Sequence, residues 1–213
     1  NTNDCISTTF DSLMPGDILK DGHLVTAVMK LQAPKQTDKW NQMFKLNGIT
    51  VSGSHSVWFE NEYILVNTHP HATPVTYTSP YIYCINTTNG CINLADNIFM
   101  DWDCLSIDEI KVLSKFSNVC PTNLLSIKHK LFDTQLSRNT QILKMNGQAI
   151  PIHNIRVGDL IDSGGLVYGI VHMMNSNSEL TYHLLTQFNK LTIKKELTYT
   201  TIGGYNSGID NIL

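Results

Sequence analysis

An all-β fold is the expectation for this chain, and three observations support it. Short runs rich in Val, Ile, Thr and aromatic residues recur along the sequence. Glycine turn dipeptides punctuate them: Asp21-Gly22, Asn47-Gly48, Asn89-Gly90, Asn146-Gly147 and Gly164-Gly165 each sit between such runs and read as hairpins. Strands and turns at this density predict a closed or sandwiched β-fold, not the alternating strand–helix pattern of a parallel sheet.

Taken in order, the first strand is expected over Leu24–Met29, after the turn at Pro15-Gly16-Asp17. Ile49–Ser52 follows Asn47-Gly48, and Tyr81–Ile85 precedes Asn89-Gly90. A small helical insertion is expected at about 104–138. Ser106-Ile107-Asp108-Glu109 has the form of a capping box, in which the Ser106 hydroxyl accepts from the amide at Glu109 while the Glu109 side chain reaches back. Ile107, Ile110, Leu113 and Phe116 give this helix one apolar face, Pro121 limits its length, and a second helical piece is expected around 124–136. Leu166–Val171 and Leu180–Leu185 complete the representative strands.

The β-rich halves echo each other. Pro15-Gly16-Asp17-Ile18-Leu19 with Leu24-Val25 matches Val157-Gly158-Asp159-Leu160-Ile161 with Leu166-Val167 at an offset of 142 (159 − 17). Tyr83, Thr87, Ile92 and Leu94 match Tyr182, Thr186, Leu191 and Ile193 at an offset of 99 (182 − 83). Unequal offsets exclude a simple tandem array and suggest duplicated β-units with unequal loops.

The 213 residues are 42% hydrophobic and 15% charged, with a net charge of −3. That apolar content argues against disorder, and the length suffices for one large or two small domains. A weakly acidic chain without a Lys/Arg cluster is a poor binder of phosphate backbones, so no nucleic-acid partner is expected. No apolar run approaches the ~18 residues of a spanning helix, so no membrane span is expected. No secretory leader is expected from the residues at Asn1 onward, and the abrupt start is expected to be that of a fragment. Five cysteines, Cys5, Cys84, Cys91, Cys104 and Cys120, cannot all pair with one another.

The sharpest chemical pairing is Cys5 with Val51-Ser52-Gly53-Ser54-His55. A Cys thiolate is the strongest common side-chain nucleophile near neutral pH, and it needs an acid or base partner. A hydroxyl three residues before a His, on a strand leading into a turn, can aim both groups at one peptide bond.

In their order these pieces resemble the Hint (hedgehog/intein) family of self-processing domains. The resemblance rests on Cys5 followed by Leu13-Met14-Pro15-Gly16-Asp17, then Leu24-Val25-Thr26-Ala27-Val28. Ser52-Gly53-Ser54-His55-Ser56-Val57 stands where the family carries Thr-x-x-His. The Gly158-Asp159 segment and Tyr182-His183-Leu184-Leu185-Thr186 fit the family's second half. The resemblance implies a single Hint-like domain over 5–213, with a pseudo-two-fold β-fold, the insertion at 104–138, and residues 1–4 as upstream flank.

The implied activity is single-turnover autoproteolysis or acyl transfer at the Asp4–Cys5 bond. The Cys5 thiol would attack the Asp4 carbonyl to give a thioester, and His55 would protonate the departing amide nitrogen as general acid. Ser52 would replace the family's Thr and hold the scissile group by a hydrogen bond. His183 lies where the family sometimes places an assisting residue. Water or an external nucleophile would resolve the thioester. The partner would be a covalently attached upstream segment, on a monomer that needs neither cofactor nor metal. Three departures narrow the reading. Met29 stands in place of the Asp that hedgehog domains use on a sterol. The chain ends Asn211-Ile212-Leu213 without a terminal Asn, leaving Tyr205-Asn206-Ser207 as the one Asn-Ser junction near the end. The insertion is too short for a homing endonuclease. Two other classes stay open: a non-catalytic β-rich structural or interaction module, and a trans-acting cysteine hydrolase using Cys5 and His55.

Other residues have simpler readings. His69-Pro70-His71 offers half a metal site and reads as a Pro-stiffened loop. Asp17 and Asp159 are expected to fix turns through side-chain-to-backbone bonds. Cys84 and Cys91 flank Asn89-Gly90 and are expected to face each other across a hairpin. With Cys104 and Cys120 they match no zinc spacing and read as buried thiols. Asn86-Thr87-Thr88 fits a glycosylation acceptor. Trp58, Phe59, Phe99 and Trp102 read as core anchors, and Lys190, Lys194 and Lys195 as a solvated strand edge.

Overall fold

Turn chemistry and alternating burial set the architecture of this computed structural model, which describes residues 7–33, 42–101, 136–175, 177–188, 191 and 193. Strands dominate these residues and no helix among them reaches seven residues, so the fold is all-β. The chain divides into two compact units, Asn1–Thr134 and Gln135–Leu213.

In the first unit the strands are β1 (Val25–Gln32), β2 (Met43–Leu46), β3 (Ile49–Ser52), β4 (Ser56–Phe59), β5 (Glu62–Leu65), β6 (Thr73–Val75), β7 (Tyr81–Thr87), β8 (Cys91–Leu94) and β9 (Asn97–Met100). β1 pairs with β7, β2 lies between β3 and β6, and β4 and β9 lie between β5 and β8. Asn47 (φ 47°) and Gly48 (φ 87°) both take the left-handed conformation and close the β2–β3 hairpin. Glu60-Asn61 and Ala95-Asp96 close β4–β5 and β8–β9 in the same way, at pairs that carry no glycine. Val25, Leu46, Val57, Val66, Ile85 and Phe99 form the core, with Phe10 and Leu13 packed against it.

The second unit holds β10 (Leu136–Ser137), β11 (Gln141–Leu143), β12 (Ala149–Pro151), β13 (Leu160–Ile161), β14 (Gly165–Met174) and β15 (Leu180–Thr186). β15 pairs with β10 and β14, β13 pairs with β14, and β11 with β12 form a hairpin. Ile142, Ile152, Ile155, Ile161, Val167, Ile170, Tyr182 and Leu184 are its core.

The sequence echo is a repeated hydrogen-bonding unit. Gly16 N–H donates to Val25 C=O, and Gly158 N–H to Val167 C=O, both at 2.8 Å. Val25 N–H returns to Asp17 C=O and Val167 N–H to Asp159 C=O, again both at 2.8 Å. Asp17 and Asp159 carboxylates accept from Met14 and Arg156 N–H at 2.8 Å, which fixes each turn as expected. Gly16 (φ 104°) and Gly158 (φ 101°) supply the same backbone conformation, one that disfavours a side chain. Even the register breaks agree: Val25↔Thr87 shifts before Ala27↔Asn86, and Val167↔Thr186 shifts before Gly169↔Leu185. The two sequence offsets are thus the two strands of one pair, β1 with β7 and β14 with β15. A 3-10 turn precedes each copy of the repeated Gly-Asp turn, at Phe10–Ser12 and at Ile152–Asn154, and places Phe10 or Ile152 against its own core.

All five representative strands are present and most are longer than expected. The expected helical insertion, with Cys104, Cys120 and Trp102, lies outside the described residues except at its end. There Leu136–Ser137 is strand, because Leu136 pairs with Tyr182 and joins the second core. Cys84 and Cys91 do not face each other: β7 pairs with β1 and β8 with β9, so Cys84 opposes Met29 and Cys91 opposes Met100. Trp58 is no core anchor, since alternation on β4 sends Val57 inward and leaves Trp58 43% exposed, edge-on to Tyr63. Asn86 is buried in mid-β7, so its triplet is not the surface loop that glycosylation requires. Lys190, Lys194, Lys195 and Tyr205-Asn206-Ser207 lie outside the described residues.

Candidate functional site

The Ser52–His55 segment is one β-turn. His55 N–H donates to Ser52 C=O at 3.1 Å, so the three-residue spacing puts the two side chains at the ends of a single reversal between β3 and β4. Gly53 inside it is buried, and a Cβ there would stand 2.6 Å from Phe44 Cε2 and 3.0 Å from Asn67 Cβ. Behind the turn, Gly53 C=O accepts from Asn67 N–H at 3.0 Å and His55 C=O from Val66 N–H at 2.9 Å. The turn is therefore clamped from two sides.

Ser52 and His55 line a cavity of about 550 Å³ within the first unit. Its wall is mainly apolar, from Phe10, Met29, Met43, Tyr83, Ile92 and Phe99 among others, and its polar groups include Ser52, His55, Cys84 and Asp101. That is the usual make-up of a small-molecule or peptide site. His55 packs against Phe99, ring centroids 5.8 Å apart, and its Nε2 lies 2.8 Å from Met100 C=O. A carbonyl can only accept, so Nε2 carries the proton and the lone pair of the neutral ring is on Nδ1. Nδ1 is then the ring nitrogen with the capacity to accept a proton. No family model, curated protein or solved structure matches this chain.

Cys5 and Asp4 lie outside the described residues. His183 belongs to the second unit, half-buried on β15 opposite Val171, where it occupies the place that Cys84 holds on β7. Met29 lines the cavity, so the wall carries a thioether at that point. The residue that sequence reasoning missed is Asp101. It is buried just past β9, and its carboxylate accepts from Thr87 N–H at 2.9 Å while its own N–H donates to Gly90 C=O at 3.0 Å. These bonds anchor the strand end that presents Met100 C=O to His55. No motif marks Asp101; its only signal is an acidic residue at the end of an apolar strand.

The Cys91 thiol is not poised for chemistry. Burial pushes the Cys91 thiol up, the Asp21 and Asp101 charges push it further, and the Asn89 hydrogen bond opposes them only in part. Among the described residues no three His, Cys, Asp or Glu side chains converge as metal ligands, His69 and His71 included. No helix among them is long and apolar enough to cross a membrane.

Proposed function

We propose that this chain is a Hint-like self-processing domain that breaks its own Asp4–Cys5 peptide bond. His55 Nδ1 takes the proton of the Cys5 thiol, the resulting thiolate attacks the Asp4 carbonyl carbon, a C–S bond replaces the C–N bond, and the amide nitrogen leaves with that proton returned from His55 Nδ1. Ser52, at the other end of the turn, hydrogen-bonds the scissile group. Because a thioester forfeits amide resonance, the step runs uphill and needs a water or external nucleophile to complete it. Met29 in the cavity wall argues against activation of an alcohol acceptor at that position.

The observation that carries this reading is the placement of Ser52 and His55 on one clamped turn, lining one cavity, with the His55 tautomer set by Met100. Phe10, five residues after Cys5, lines the same cavity, so the connecting chain spans at most about 18 Å. The repeated hydrogen-bonding unit supports the finer reading of a pseudo-two-fold Hint-like fold.

A reporter protein fused upstream of Asn1 tests the proposal by intact mass. Strong thiol or hydroxylamine should release a product ending at Asp4, abolished in Cys5→Ala and slowed about 10²–10⁴-fold in His55→Ala. An intact fusion after long incubation across pH 6–9 overturns the reading in favour of a non-processing module. Repeated turnover of a separate peptide substrate would instead indicate a trans-acting hydrolase.

A further inference from the structure

His69 is not part of the cavity wall, yet it is wired to the turn that is. It is 8% exposed in the segment after β5, with its ring edge-on to Phe59 at 4.5 Å and 5.7 Å from the His71 ring. Its Nδ1 receives the backbone N–H of His71 at 3.2 Å. An N–H can only donate, so Nδ1 holds a lone pair and the ring is neutral. His69 N–H donates to Val66 C=O, and Ala72 N–H to His69 C=O, both at 3.1 Å. Val66 and Asn67, in the 3-10 turn Val66–Thr68 that His69 caps, are the residues whose N–H groups hold the His55 and Gly53 carbonyls.

We propose that His69 is a positioning residue for the Ser52–His55 turn, and that its protonation releases the turn at acid pH. A proton on Nδ1 sets donor against donor at His71 N–H and puts a cation into a buried site beside Phe59 and a second imidazole. The folded state answers by opening the 66–72 segment, which withdraws the two N–H groups that clamp the turn. The surroundings offer little to stabilise the cation. Burial disfavours the charge most, and His71, the one titratable group among the described residues that acts on His69, disfavours it further. Of the elements packed nearby, β4 brings Phe59 and no ionisable side chain, β3 brings none, β2 brings exposed Lys45, and β5 brings exposed Glu62 opposite Phe59 and exposed Tyr63. As a control on autoprocessing, this inference rests on the function proposed above; the clamp itself does not.

The test follows amide-exchange protection of Val66 and Asn67 in the full chain, alongside thiol-induced release from the upstream fusion, from pH 7.5 to 5. In the native sequence, protection at both amides should fall at least tenfold over that range, and release should fall with it. His69→Asn keeps an acceptor near Nδ1 without a titrating ring, so it should hold protection, and any release, at pH 5. His69→Phe keeps the buried ring without the acceptor and should lose protection at both pH values. Unchanged protection in the native sequence, or the same acid loss in His69→Asn, overturns the inference. Protection that follows these expectations without release at any pH upholds the brace and sinks the autoprocessing reading alone.

Discussion

At Gly53 the turn has no spare room. Its missing side chain is what lets the backbone lie against Phe44 and Asn67 while Ser52 and His55 face the cavity. Gly53→Ala should therefore destabilise the first unit by about 1–3 kcal/mol, the usual cost of forcing bulk into a packed site. A drop in the urea midpoint, with a shift of the His55 ring resonances, is the expected result; an unchanged midpoint would show that Phe44 yields freely. Ser52 and His55 were legible in the sequence because a β-turn joins residues three apart, so spacing translates directly into proximity. Asp101 and Met100 were not, because their link to His55 crosses from β4 to β9 and depends on a backbone carbonyl, which carries no sequence signature. Trp58 misled for a related reason: size suggests core, and only strand phase tells that it points out.

The repeated unit is where a short sequence string specified an element most fully. Gly16-Asp17 and Gly158-Asp159 combine a backbone conformation suited to glycine with a carboxylate that accepts the N–H three residues back, so both local terms favour one turn. The second copy adds an ion pair, Lys144 Nζ to Asp159 Oδ1 at 2.7 Å. Burial pulls the Asp159 pKa up, but the hydrogen bonds from Lys144 and Arg156 and their charges prevail and hold it below its ordinary value. Asp17→Ala should cost about 1–2 kcal/mol, and Asp159→Ala more, because Lys144 also loses its partner. The extra Asp159 contribution is full above about pH 3.8 and fades as pH falls through the depressed value. Chemical denaturation of both variants at pH 7 and pH 3 should show the gap between them closing in acid. Leu136–Ser137 is the counter-example, where pairing with Tyr182 overrode a helical reading that used only local pattern.

At the scale of the whole molecule, two imidazoles among the described residues bias stability in the same direction. His69 in the first unit is lowered by burial and then by His71, and His172 in the second by burial and then by Arg156. Each binds a proton less readily folded than unfolded, so stability is complete above about pH 6.5 and is lost as pH falls toward the lowered values. The urea midpoint should therefore decline between pH 7.5 and pH 5, and the double variant His69→Asn/His172→Phe should flatten that decline; a slope unchanged in the variant would place the acid sensitivity elsewhere. The all-β class and the duplication were legible at this scale because both rest on local strings. The partition into two units was not, because it depends on which distant strands share a core.

The repeated unit also differs in one respect between its copies. Between β1 and β7 the chain makes a long excursion over residues 33–80, which carries the Ser52–His55 turn, whereas β14 and β15 are joined by the short turn 175–179. That turn is closed by Asn175, which accepts from Glu179 N–H and Asn177 N–H at 2.9 Å, and it lies at the point where the first copy accommodates 43 additional residues (48 − 5). For anyone wishing to build on this scaffold, the 175–179 turn is thus a natural port: a peptide or small domain spliced in there would follow a route the same architecture already uses once.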